Sequence, residues 1–450
     1  MPFWLRTQCK LGLVVFLLIT HLFVLTRIQF TVWPEMMFYP WLASQGYSHY
    51  TDIIHPYFPG LIWILQATGS VFGFLPTTIQ SLTSLVILLI DVILFIFLRR
   101  LYGWSAAYLG LAWFILWQSF FEGNGLWFDL ATVPFLLTAL YFFQHWREKR
   151  RRRFLLCTSI SLLFAILIKQ SAALVVLPLL ISTWLQDRRS VVWFLSPLAL
   201  GLLGLFGWFS MQGNLLDILY WSIWFPLIDE RAVSSFMLLP SFREVILFLP
   251  ILILTFLGLL KEKKDRWFWG SVLFLTLLPV FPRWSFFHLQ PFLAVSTILI
   301  ARFFIQRPMV ACIGFFIAVM ITIPFYIQTW GHEPRFFGQD LERLASSVRR
   351  EIGKKDVFIL TGDQLLYPVL GIVPPKPWAD WFPWYYEVRG GMIEQRLLEE
   401  LRSNPPAFVL IDNPQSERAE YRYRPASVKQ FIEREYQEVK EIEGRILLRR

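Results

Sequence analysis

Three residues able to move a proton or hold a charge, Glu35, Asp52 and His55, stand close together in residues 33–60, WPEMMFYPWLASQGYSHYTDIIHPYFPG. Further on, Lys169-Gln170, Arg283 and His288 each stand at the end of an apolar run. Ionisable groups beside hydrocarbon are costly to bury, so each is a functional candidate. Together they suit one chemistry. A sugar phosphate carried on a lipid has its tail in the bilayer and its head at the interface. Transfer of that sugar needs a base for the acceptor hydroxyl and cations for the departing phosphate. Glu35 is the expected base, with Asp52 as the second acid of the loop. Lys169 and Arg283 are the expected phosphate clamp, and His55, His288 and Gln170 the expected substrate contacts. One carboxylate with direct attack at the anomeric carbon gives inversion, whereas retention requires a second carboxylate as nucleophile. No cofactor is certain from the sequence; participation of a divalent metal stays open, and one firm acid in the loop argues mildly against a dedicated site.

Each residue also has a plainer reading. Glu35 follows Pro34 and fits the first turn of a short helix. Asp52 fits an N-cap or a brace of the loop. His55 precedes Pro56 and fits a fixed turn. Lys169 and Arg283 fit helix-end anchors that snorkel to the interface. His288 and Asp129 fit packing and structural roles, and Asp91, inside a span, has no partner legible in the sequence.

The elements that must position these residues are membrane spans. Of 450 residues, 56% are hydrophobic and only 16% charged, and the mean hydropathy is +0.51. Several runs approach the roughly 20 residues needed to cross a bilayer. The net charge of +10 falls in short clusters between apolar runs, the pattern of cytoplasmic loops rather than of a nucleic-acid surface. Cys9, Cys157 and Cys312 show no disulfide or zinc spacing. The first run follows Arg6 and Lys10, is too long for a signal-peptide core and lacks a small-x-small site, so it reads as an uncleaved span.

Spans are expected at 11–28, 78–98, 105–121, 130–146, 154–168, 172–185, 191–210, 242–260, 267–280, 288–304 and 310–327. That makes about 11 crossings by the span-length rule. Residues 61–74 are too short and glycine-rich for a crossing and read as an interfacial helix. The basic clusters at 99–100, 147–153 (REKRRRR), 188–189, 261–266 and 302–307 then fall on one side, which the positive-inside rule makes cytoplasmic. Glu35, Asp52, His55, Asp129, Lys169, Arg283 and His288 fall at the opposite, outer ends. After residue 330 the chain becomes charged and turn-rich. Helices at 340–352, 391–402 and 427–436 alternate with strands at 356–360, 407–412 and 445–448, the pattern of a small α/β domain. Residues 374–386, PPKPWADWFPWYY, are too rich in Pro and Trp for regular structure. The expected fold is a polytopic α-helical membrane protein. It has a transmembrane domain at 1–330, with its first external loop at 29–77, and a C-terminal α/β extracytoplasmic domain at 331–450.

The loop resembles that of the GT-C superfamily of polyprenyl-phosphate-sugar-dependent glycosyltransferases, in the protein mannosyltransferase-like and aminoarabinose transferase-like branch. That loop runs acidic-x-x-x-aromatic, then small-x-x-x-Gly, Tyr-x-Asp and Pro. Here these read Glu35 and Tyr39, then Ala43 and Gly46, then Tyr50 and Asp52, then His55-Pro56. Lys169-Gln170-Ser171, Arg283-Trp284 and His288-x-x-Pro291 are similar to later motifs of the family, which also commonly carries an external α/β tail. Where the family commonly has Asp-Glu, with the Asp as base, this chain has Pro34-Glu35, so Glu35 takes that place. The resemblance implies an inverting glycosyltransferase of the plasma or inner membrane with a cytoplasmic N-terminus. It would move a hexosyl or pentosyl group from a polyprenyl-phosphate-linked sugar to a glycan, lipid or protein acceptor, among membrane lipids and without nucleic acid. The alternatives are a transporter or flippase of lipid-linked sugars and a non-catalytic scaffold. Transport is disfavoured because the charges sit at one outer level and no pair of broken repeat spans is evident.

Overall fold

A backbone in hydrocarbon must satisfy its own hydrogen bonds, so long apolar runs have only the helix open to them. The computed structural model describes residues 3–233, 235–413 and 424–450. Six helical stretches among them are long and apolar enough to cross a membrane: Lys10–Arg27, Pro76–Tyr102, Ser190–Met211, Phe242–Lys261, Phe286–Gln306 and Pro308–Thr329. Five more apolar helices, Trp104–Gln118, Phe128–Lys149, Arg152–Ile168, Val176–Gln186 and Arg266–Leu277, occupy the other expected spans, eleven in all among the described residues. The interfacial stretch forms the helix Gly60–Phe72.

The chain folds as two compact units. The first comprises residues 1–31, 80–207 and 238–332, and the second residues 32–79, 208–237 and 333–450. In the first, Gln290–Gln306 is the central helix, and most of the Phe286–Gln306 span is buried inside protein. It packs on Trp104–Gln118, Phe242–Lys261 and Phe128–Lys149. Gly258 permits one of these approaches, since a Cβ there would lie 2.7 Å from the carbonyl oxygen of Leu299. Both ends of this unit are tied. At one, the Gln29 N–H donates to the Thr329 carbonyl and the Gly331 N–H to Arg27, both at 2.7 Å, and the Asn124 amide donates to the Gln29 carbonyl. At the other, Arg100 pairs with Glu148, Arg147 with Asp265 and Arg302 with Glu262. Lys10 and Arg99 lie over the same Trp104 ring. The basic clusters at 99–100, 147–153, 261–266 and 302–307 are therefore linked at one end of the helices. Away from both ends, His21 and Asp91 form a fully buried pair at 2.6 Å, the partner of Asp91 that the sequence did not disclose.

In the second unit a four-stranded sheet has the order β1-β2-β4-β3, with β1 Val357–Leu360, β2 Phe408–Asp412, β3 Gln437–Ile442 and β4 Arg445–Arg449. Strands β1 and β2 are parallel; the other pairings are antiparallel. The helices Gln339–Ile352, Met392–Ser403 and Ala426–Glu435 lie where helical periodicity placed them. Strand β3 was not expected. Its first five residues are exposed and only Ile442 is buried, so it carries the charged face of an edge strand rather than an apolar signal.

Residues 374–386 are bound to the loop 32–79 by main-chain bonds. The Ile54 N–H donates to the Trp378 carbonyl at 2.8 Å, and the Trp378 N–H to that of Asp52 at 2.7 Å. Rings close the join: Trp378 meets Phe38 edge-on at 5.0 Å and also packs on Tyr367 and Trp381. As expected, this stretch is mostly irregular, with one short helix, Pro383–Tyr386.

Candidate active site

The loop's helix, Pro34–Ser44, starts where Pro is tolerated, at the first helical position. Residues 36–42 are all buried, which fixes the helix rigidly within its unit. Glu35 and Tyr39 are four residues apart and share a face. The Tyr39 hydroxyl donates to Asp380 Oδ2. Glu35 Oε2 and Asp380 Oδ1 are both buried without a hydrogen-bond partner among the described residues. Burial, and then the charge of Asp380, hold the Glu35 carboxyl far above the usual carboxylate range. Burial also raises Asp380, against hydrogen bonds from Tyr39 and Gln364. Tyr385 lies within electrostatic reach of Glu35, Asp380, Glu230 and Tyr57. Such surroundings push the pKa of Glu35 up to about 8.

His55 is fully buried, stacked on Tyr39, with its ring centroid 4.7 Å from that of Tyr50 and its Nε2 3.4 Å from His49 Nδ1. Burial pulls the pKa of His55 well below the usual histidine value and leaves the ring neutral. Asp52 accepts from the Ser48 N–H at 3.0 Å and from Lys376 Nζ at 2.9 Å. Its partners are therefore the turn itself and residues 374–386, while the acid gathered with Glu35 is Asp380.

The first unit gathers Lys169 and His288. Lys169 stands in extended conformation between the helix Arg152–Ile168 and the 3₁₀ turn Gln170–Val175, which Gln170 opens. Its Nζ lies 2.8 and 2.7 Å from the two carboxylate oxygens of Asp129. Asp129 Oδ2 lies 2.7 Å from His288 Nδ1 as well. Asp129 opens the helix Phe128–Lys149, and His288 belongs to the 3₁₀ turn Phe286–Leu289. Lys169 and Asp129 are 8% and 3% exposed, so the lysine is an interior cation held by a carboxylate rather than a snorkelling anchor. Arg283 acts electrostatically on His288, and its segment is fixed to Leu238 by the Leu238 N–H to the Pro282 carbonyl and the Trp284 N–H to the Leu238 carbonyl.

Two members of these clusters escaped sequence reasoning. Asp129 read as structural, yet it binds both Lys169 and His288. Asp380 was hidden in a stretch assigned only irregularity. A signal was present: it is the one acid in PPKPWADWFPWYY, and a carboxylate among so many rings needs a proton or a partner.

The profile of the dolichyl-phosphate-mannose-protein mannosyltransferase family matches residues 54–211. No curated protein matches the chain. Among solved structures, the chain is similar to ArnT from Cupriavidus metallidurans bound to undecaprenyl phosphate, with 14% identity, 97% of each chain covered and a TM-score of 0.62. The apo form of that protein gives 14% identity, 98% of each chain and a TM-score of 0.58. The Archaeoglobus fulgidus oligosaccharyltransferase tethered with an acceptor peptide containing the NVT sequon gives 11% identity, 92% of this chain, 70% of that chain and a TM-score of 0.55. The fold is thus the one these solved structures share, and with six helices long and apolar enough to cross a membrane the chain is an integral membrane protein.

Proposed function

We propose that this protein is an inverting membrane glycosyltransferase that moves a hexosyl or pentosyl group from a polyprenyl-phosphate donor to an acceptor hydroxyl of a glycan, lipid or protein. The shared fold and the profile match at residues 54–211 support the class, and a solved relative binds undecaprenyl phosphate. The observation that carries the chemistry is Glu35, a carboxyl held by burial in the range where it can accept a proton. In the reaction the acceptor oxygen bonds to the anomeric carbon as Glu35 takes its proton. The sugar–phosphate C–O bond breaks and the polyprenyl phosphate leaves with the electron pair. A single displacement inverts the anomeric centre.

Lys169 and Arg283 supply positive charge for the departing phosphate, with His288 beside them and Gln170 next in the chain. His55, neutral and wedged between Tyr39 and Tyr50, shapes the loop around the base. Asp52 acts on the loop through Lys376 and Ser48 rather than on the substrate. We divide the chain into a transmembrane domain at 1–330 and a C-terminal domain at 331–450; the compact unit that contains residues 333–450 also takes in 32–79 and 208–237. The basic clusters joined at one end of the helices support a cytoplasmic N-terminus, an extracytoplasmic loop and C-terminal domain, and residence in a plasma or inner membrane.

The test is transfer by the purified protein. Glu35→Gln is expected to cut turnover by about a thousandfold while the polyprenyl-phosphate donor still binds; full transfer by that variant would overturn the assignment of the base.

A further inference from the structure

Residues 374–386 lie outside both the loop motifs and the matched stretch 54–211. Their Asp380 is 8% exposed and flanked in sequence by the buried Trp378 and Trp381. An isolated anion in such surroundings is strongly destabilising, and one carboxylate oxygen, Oδ1, has no partner among the described residues. The other accepts from Tyr39, one helical turn beyond Glu35 on the same face, and Glu35 has its own buried, unpartnered Oε2. The titratable groups coupled to this pair are Tyr39 and Tyr385, and Tyr385 is in turn acted on by Glu230 and Tyr57. The charge acting most strongly on Glu35 is that of Asp380 itself. Two carboxyls in so dry a site do not both ionise.

We propose that Asp380 is a positioning residue that shares one proton with Glu35, so that the C-terminal domain supplies half of the acid–base unit. While Asp380 is the anion, Glu35 holds the proton. When the proton moves to Asp380, Glu35 is freed as the carboxylate that attacks the acceptor's proton. The proton taken from the acceptor is then held between the two groups until solvent removes it. This inference rests on the reading of Glu35 as the base.

The experiment uses the full chain in detergent and two readouts. One is the infrared stretch of the protonated carboxyl followed against pH; the other is the pH profile of kcat/KM for transfer. In the unmodified protein the protonated band is expected to persist above the usual carboxylate range. Asp380→Asn is expected to move both the band's midpoint and the acid limb of the profile down by about 1 pH unit or more, with the KM for donor little changed. Asp380→Glu is expected to restore the midpoint, which loss of packing alone would not predict. Glu35→Gln reads the same coupling from the other side, by lowering the titration of Asp380, and serves if Asp380→Asn does not fold. Unmoved midpoints in these variants overturn the sharing. If Glu35→Gln keeps full transfer while the midpoints still move, the base reading fails and the proton sharing stands. If transfer is lost but the midpoints are independent, the base reading stands and the sharing falls.

Discussion

The two units each bury carboxylates, and they neutralise them in opposite ways. In the first, Asp129 faces a lysine and a histidine, and both of its oxygens lie within 2.8 Å of Lys169 Nζ. In the second, the charge of Asp380 acts on Glu35, and both acids act on Tyr39 and Tyr385. The first arrangement fixes charge: the anion is matched by a cation and the geometry is tight. The second leaves a proton undecided between acids, because desolvation opposes ionisation and no neighbouring cation among the described residues offsets it. Transfer of a sugar from phosphate requires both kinds of site, one that holds positive charge in place and one that exchanges a proton. A carboxylate's neighbours, rather than its burial alone, decide which kind it becomes.

The contrast can be broken by exchange of roles. Glu35→Gln removes the proton acceptor and leaves the donor's charge contacts alone; transfer should fall by about a thousandfold, the usual weight of a general base. Turnover and donor binding measured on the same preparation check it. Asp129→Ala strands a buried Lys169 and should cost about 3–5 kcal/mol of stability, read as a large fall in Tm in detergent. The pair Asp129→Leu with Lys169→Met should recover most of that stability, since apolar replacement of a buried pair is often neutral. Weakened donor binding in the recovered protein would then isolate the part of Lys169 in holding phosphate, whereas unchanged binding would remove that part.

The acid pair predicts a pH signature. Both groups have raised pKa values in the folded protein. Their contribution to stability is therefore complete below the usual carboxylate range and is lost as pH rises through the raised values. A tenfold difference in proton affinity between the folded and unfolded chain is worth about 1.4 kcal/mol. Tm should fall between about pH 5 and about pH 9, and Asp380→Asn should flatten that slope. A Tm that climbs over this range would contradict the protonated pair. The smallest effect belongs to Lys376→Ala. Its ion pair with Asp52 is 44% exposed on the lysine side, so its loss should cost under about 1 kcal/mol. A larger loss in a denaturation series would show that the join between the loop and residues 374–386 depends on this bridge more than on its rings.

The spans were legible because hydrocarbon leaves an apolar run no structure but a helix. The run 191–210 became Ser190–Met211 and the run 242–260 became Phe242–Lys261. The three longest helices and three of the strands after residue 330 were legible from periodicity of 3.6 and from short apolar runs. The fourth strand was not, because an edge strand can form from charged residues when its partner supplies the hydrogen bonds. The candidate base, Glu35, and the cations, Lys169 and Arg283, were legible because ionisable groups next to apolar runs are conspicuous. Their partners were not. Asp129 is 40 residues from Lys169 and 159 from His288, and Asp380 is 341 residues from Tyr39. Nothing in local pattern encodes such pairings, which arise when packing closes distant segments on one another. The sequence by itself determined which residues must avoid lipid and which runs must enter it. Only the tertiary structure decided that Asp129 meets a cation while Glu35 meets another acid, because a carboxyl's proton affinity is set by what surrounds it in space.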